Sequence, residues 1–160
     1  MSDLTIAAEP GVPQILTSRE FDAPLALVYR AFTQPDLLVQ WLGPRKYTMK
    51  IERYDLRDAG SWRYLHADDS GNEYGFHGVF HGEPSTEGIV QTFEFEGAPG
   101  NVQMDTITFE ERDGGTIVRT NSVFQTVEAR DAMYQSGMAE GMTEGYERHE
   151  ELLATQSANA

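Results

Sequence analysis

The sequence predicts an α+β fold in which a curved antiparallel sheet of about seven strands wraps around one long C-terminal helix, with two short helices after the first strand. Three observations predict it. Residues 47–124 alternate β-branched and aromatic residues with polar ones, and turn residues break the run at short intervals. A helical period appears twice, briefly within 24–41 and at length after Thr126. Connections inside the β-rich stretch are too short for crossovers, so successive strands pair, and the long helix is the element left to cover the apolar face of the sheet.

The elements follow in order. Residues 14–21 place Ile15, Thr17, Arg19 and Phe21 against Leu16, Ser18 and Glu20, a strand with mixed faces. Pro24 suits a first helical position, and Leu25, Val28, Tyr29 and Phe32 recur at helical spacing, giving a helix over 24–32. A second short helix runs from Pro35 to about Trp41, and Gly43-Pro44 stops it. Six strands follow near 47–56, 61–67, 74–81, 88–95, 102–112 and 116–124. Their separators, 58–60, 68–72, 83–87, 97–100 and 113–115, contain Gly or Pro with acidic or small residues, as tight antiparallel turns require. A short helix at 127–135 precedes the long one, from about Gly137 to Thr155. A single domain thus spans 14–155, with 1–13 and 156–160 as tails, the last of which is expected to fray.

Composition excludes several classes of function. Twelve Lys and Arg against 26 Asp and Glu give a formal charge of -14, which repels phosphate backbones and anionic lipid, so neither nucleic acid nor membrane is an expected partner. No apolar run approaches the roughly 20 residues of a membrane span, and residues 1–13 are acidic without the basic start of a secretion signal. The chain contains no Cys, which excludes a disulfide framework, a thiol nucleophile and a Cys-based zinc site. A soluble, unprocessed, cytoplasmic protein is expected. No phosphate loop is present, and no cofactor is expected. His77 and His81 share a strand face but lie about 13 Å apart at a rise of about 3.3 Å per residue, too far to hold one ion, and no metal site is expected. His149, among the acidic last turns, reads as a solvated surface group.

Alternation brings the aromatic residues together. Trp62, Tyr64 and His66 share one face of their strand, Tyr74, Phe76 and Phe80 one face of the next, and Ile89, Gln91, Phe93 and Phe95 one face of the third. In the long helix, Gly137, Gly141 and Gly145 form a glycine stripe beside a second stripe of Tyr134, Met138, Met142 and Tyr146. Glycines cost about 1 kcal/mol each inside a helix, so close approach to the sheet or room for a ligand is expected in return. The residues alone serve equally a cavity lining with a few polar anchors or a solid core.

Several motifs resemble a known family. They are Arg19-Glu20-Phe21-Asp22-Ala23-Pro24 leading into Val28-Tyr29-Arg30-Ala31-Phe32-Thr33, then Leu38-Val39-Gln40-Trp41. Asp55-Leu56-Arg57 through Gly60-x-Trp62-x-Tyr64 and Asp131-Ala132-Met133 through Ser136-Gly137-Met138-Ala139-Glu140-Gly141 complete the set. Over residues 14–155 the chain resembles the START-related, Bet v 1-like helix-grip superfamily (SRPBCC), in the group similar to the C-terminal domain of the activator of the heat-shock protein 90 ATPase. It departs from that group at Asp58-Ala59-Gly60, where paired glycines are common, and at Ser85-Thr86, where paired prolines are common.

The resemblance implies a cavity between sheet and C-terminal helix that binds an apolar or aromatic small molecule. The residues expected to line it are Trp41, Trp62, Tyr64, His66, Phe76, Gln91, Phe93, Met138, Met142 and Tyr146. It also implies two alternatives. One is a cyclase- or hydrolase-type enzyme using pocket residues such as His66, His77, Tyr64 or Asp105, although no nucleophile–base pair has a diagnostic spacing. The other is a partner domain of the heat-shock protein 90 chaperone. A homodimer formed through edge strands is a further expectation.

Overall fold

The computed structural model describes residues 3–158. The elements are β1 (Thr5–Ala7), β2 (Gln14–Phe21), α1 (Leu25–Thr33), α2 (Pro35–Leu38), β3 (Thr48–Tyr54), β4 (Ser61–Ala67), β5 (Glu73–Ser85), β6 (Gly88–Phe95), β7 (Val102–Arg112), β8 (Gly115–Val123), α3 (Val127–Gln135) and α4 (Met138–Ala158). The strands form one sheet of eight in the order β1-β2-β8-β7-β6-β5-β4-β3, with every adjacent pair antiparallel. Strand β2 pairs along its whole length with β8, from Gln14↔Val123 to Phe21↔Thr116. No helix among the described residues is long and apolar enough to cross a membrane.

The tails expected at both ends are partly structured. Strand β1 pairs Thr5 with Ser18 and Ala7 with Leu16 on the free edge of β2, and Leu4 packs against the core. A three-residue strand is too short to show a period, but an open edge offers it backbone partners. At the other end α4 continues to Ala158, and Arg30 Nη2 donates to Gln156 Oε1 at 3.0 Å. The predicted turn at 83–87 shrinks to Thr86-Glu87, because β5 runs on through a register shift between His81 and Ser85, with Gly82 at φ 75. Strand β4 begins at Ser61 opposite Val79, so Pro84 lies where one side of β5 has no partner strand to lose a hydrogen bond. Helix α2 is shorter than expected, with its regular turns ending at Leu38.

The core divides into two ends. At one, α1 and the C-terminal half of α4 pack solidly on β2, β7 and β8 through Phe21, Val28, Phe32, Phe109, Val118, Leu152 and Leu153. Trp41 is buried there and its Nε1 donates to Ala31 O at 2.9 Å. His149 belongs to this end and not to the surface. It is 0% exposed, with ring centroids of Trp41 at 4.2 Å, Phe21 at 4.5 Å and Phe32 at 5.3 Å. Its two ring nitrogens have no hydrogen-bond partner among the described residues. Burial, then the nearby Arg19 charge, pushes its pKa down to about 3. Arg19, itself buried, is matched by Glu150 at 2.7 Å.

The glycine stripe also resolves differently. Gly137 lies between α3 and α4 at φ 92, a conformation that ends one helix before the next begins. Gly145 is inside α4, and a Cβ there would sit 3.2 Å from Gly43 N and 3.3 Å from Trp41 O. The close approach is therefore to the backbone after α2, not to the sheet. A Cβ on Gly141 would meet Pro44 Cδ at an ordinary 3.7 Å.

Candidate functional site

At the other end, sheet and α4 stand apart. Strand alternation points Trp62, Tyr64 and His66 from β4, Phe76 from β5, Gln91 and Phe93 from β6, Gln103 and Asp105 from β7, and Thr120 and Ser122 from β8 toward one space. Trp62 stacks on Tyr64 with centroids 5.1 Å apart, Tyr64 on Phe76 at 5.2 Å, and Phe76 lies 5.4 Å from Phe93, so four rings form a continuous panel. Gly78, opposite Trp62 in the register, makes the panel possible, since a Cβ there would collide with the Thr92 carbonyl and the Trp62 ring. Met138, Met142 and Tyr146 from α4, Met133 from α3, and Trp41 form the facing wall. Between them lies a cavity of about 410 Å³, within the range of small-molecule sites.

A polar row crosses the floor of this cavity. Gln91 is the register partner of Asp105, and Asp105 of Ser122, so three neighbouring strands place their polar side chains side by side. Ser122 Oγ donates to Asp105 Oδ1 at 2.7 Å and Gln103 Nε2 donates to the same oxygen at 2.9 Å. Burial pushes the Asp105 carboxyl above its usual range, and the two hydrogen bonds oppose that rise without a cation to help them. Burial likewise raises the Tyr64 hydroxyl, and raises Tyr146 to about 12, with the Asp105 charge adding to both.

His66 stands at the end next to Gly43, where an added Cβ would meet its ring at 2.6 Å. Burial, then the Arg148 charge, pushes its pKa down to about 4, so the ring is neutral at neutral pH. Tyr47 stacks on it with centroids 5.5 Å apart. Its Nε2 and the Trp62 indole Nε1 are buried without a hydrogen-bond partner among the described residues. The segment after α2 borders this end through Leu42, Gly43, Pro44 and Tyr47, facing Ser136, Gly137 and Met138. Arg148 Nη1 clips it to α4 by donating to Gly43 O at 3.1 Å and Pro44 O at 3.5 Å, while Arg45 N donates to Glu144 Oε1 at 2.9 Å. Arg45 also pairs with Glu151 at 2.6 Å.

A family model described as Activator of Hsp90 ATPase homolog 1-like protein matches residues 22–154, from the end of β2 to near the end of α4. The chain belongs to that family. Its fold is the helix-grip arrangement of the START and Bet v 1-like proteins. Similar solved structures include a Rhodobacter sphaeroides protein at 25% identity and TM-score 0.88, covering 96% of this chain and 99% of that one. An Arthrobacter aurescens protein at 22% identity and TM-score 0.86 covers 94% and 91%, and protein Ms6760 from Mycobacterium smegmatis at 21% and 0.84 covers 93% and 95%. The latter two speak to the fold alone. No curated protein matches the chain significantly.

Trp41, Trp62, Tyr64, His66, Phe76, Gln91, Phe93, Met138, Met142 and Tyr146 all line the cavity. His77 does not. It lies on the outer face of the sheet, with Nδ1 2.8 Å from Glu96 and Nε2 3.3 Å from Glu94, and Arg63 pairs with the same Glu96 at 2.8 Å. Strand alternation dictates that, since Phe76 already takes the inward position. Tyr134 leaves the methionine stripe, being 45% exposed on α3, because the break at Gly137 resets the helical phase and brings Met133 inward instead. The lining residues that the sequence reading missed include Gln103, Thr120 and Ser122 of the polar floor. Alternation from Asp105 and Val118 places them inward, but small polar side chains carry no hydrophobic signal that marks a cavity.

Proposed function

We propose that the protein binds an apolar, predominantly aromatic small molecule in the cavity between the sheet and α4. The observation that carries this reading is the space itself. The panel of Trp62, Tyr64, Phe76 and Phe93 and the facing Met138, Met142 and Tyr146 stop short of interlocking and leave about 410 Å³, whereas interiors normally pack to the density of organic crystals. Methionine adapts its shape to a guest, and flat rings offer stacking surface with little entropy to lose. Family membership supports the same reading, since the related superfamily places ligands between sheet and helix.

A chemically diverse lipophilic panel tests it through melting temperature and native mass spectrometry. A ligand at 100 times its Kd stabilises by about 2.7 kcal/mol, which for a domain of this size raises Tm by about 5–10 °C. A panel that neither shifts Tm nor co-purifies contradicts the proposal. The enzyme alternative retains His66, Tyr64 and Asp105 and loses His77. Its signature is turnover that disappears in His66→Ala while Tm is kept.

A further inference from the structure

We propose that the ligand of this cavity carries a hydroxyl group, held jointly by Gln91 and Asp105; this rests on the binding role proposed above. The two side chains are register partners on β6 and β7 and both line the cavity. The hydrogen bonds to the Asp105 carboxyl both fall on Oδ1, from Ser122 and Gln103, which leaves Oδ2 free among the described residues. The Gln91 amide makes no hydrogen bond among the described residues either, although it lies on the polar floor of a chamber walled by aromatic and methionine side chains. Neither group is among the fully buried side-chain atoms without a partner, so both open onto the cavity they line, and an adjacent free amide and carboxyl oxygen there mark where a polar atom of the guest docks.

The chemistry of the pair selects the group. The side chains coupled to the Asp105 carboxyl are Gln91 from β6, Gln103 on its own strand, Ser122 from β8, Tyr64 from β4 and Tyr146 from α4. None of them is charged at neutral pH, so the carboxyl has no built-in counter-ion. A hydroxyl both donates and accepts. Against an ionised carboxylate it donates to Oδ2 and accepts from the Gln91 N–H; against the protonated acid it accepts from Oδ2–H and donates to the Gln91 carbonyl once that amide turns over. A ketone matches only the protonated acid. An ammonium matches only the carboxylate, and brings a charge whose desolvation the pair must offset. The hydroxyl alone completes both proton states, so its affinity stays nearly level while Asp105 titrates.

Calorimetric titration with naphthalene, 2-naphthol, 2-acetylnaphthalene and 2-naphthylmethylamine at pH 5 to 8 tests this. The expected result is 2-naphthol binding about five- to tenfold tighter than naphthalene, with little change across that range. Gln91→Met, close in shape and without the amide, reduces the preference about threefold. Asp105→Asn still offers a donor and an acceptor and retains it; unchanged circular dichroism confirms that both variants fold. Naphthol and naphthalene within about twofold of each other in the unaltered protein would overturn the anchor while leaving the cavity's binding role standing. So would the amine binding tightest and losing its advantage in Asp105→Asn, or the ketone binding tightest and weakening as pH rises. If none of the four probes binds, the anchor falls together with the binding role.

Discussion

Replacing His149 by leucine removes one of two buried imidazoles that make this fold sensitive to mild acid. The imidazole is fully buried, both nitrogens lack partners among the described residues, and its pKa falls from an ordinary 6.5 to about 3. The folded state therefore holds the ring neutral, while the unfolded chain takes up a proton as pH drops below about 6.5. Stability from this residue is complete above that pH and is lost as pH falls toward the folded value, at about 1.4 kcal/mol per unit. Between pH 7.5 and pH 5 the loss is about 2 kcal/mol. His66, lowered to about 4 by burial and then Arg148, adds a loss of the same sign, and Asp105, raised by burial, works in the opposite direction. The comparison of interest is thus the difference between the two proteins. Urea unfolding at pH 7.5 and pH 5 is expected to show His149→Leu losing about 2 kcal/mol less than the unaltered chain. At pH 7.5 the variant is expected to be no less stable, because two orphaned polar atoms are gone from the space among Phe21, Phe32 and Trp41. Parallel losses in the two proteins would refute the reasoning.

Three further outcomes follow from backbone and loop geometry. Gly141→Ala is expected to raise stability by about 0.5–1 kcal/mol in thermal or urea unfolding, since the new methyl meets Pro44 Cδ at an ordinary 3.7 Å and the helix gains propensity. Ala59→Gly is expected to stabilise by about 0.5–1 kcal/mol, because Ala59 sits at φ 63, a left-handed conformation that costs a residue with a Cβ; an unchanged urea midpoint counts against strain there. Arg148→Met removes the donor that holds Gly43 O and Pro44 O, and is expected to cut hydrogen-exchange protection of the Arg45 and Tyr47 amides about tenfold without a matching loss in β7.

The order of elements was legible because each carried a strong period. The helix over 24–32, the meander beyond Tyr47 and the strand over 102–112 appear almost as the alternation predicts. What escaped had weak or conflicting local signals. The three residues of β1 owe their conformation to the free edge of β2, which no local pattern reveals. His149 reads as solvated beside Glu147, Glu150 and Glu151, yet Met142, Tyr146, His149 and Leu153 fall at i, i+4, i+7 and i+11, the buried face of α4. Periodicity was the better guide there than composition. For the cavity, alternation identified the aromatic lining, whereas the row Gln91, Asp105, Ser122 emerged only from cross-strand register, which depends on turn lengths and the bulge in β5.

Methionine methyl groups report on the cavity directly. Met133, Met138 and Met142 line it, while Met104 lies 44% exposed on the outer face of β7. Proton–carbon spectra of the protein labelled at its methionine methyls, titrated with 2-naphthol, are expected to show the three lining signals shifting together and saturating while that of Met104 stays in place. Lining signals that do not move, or a shift confined to Met104, would contradict a guest between the sheet and α4.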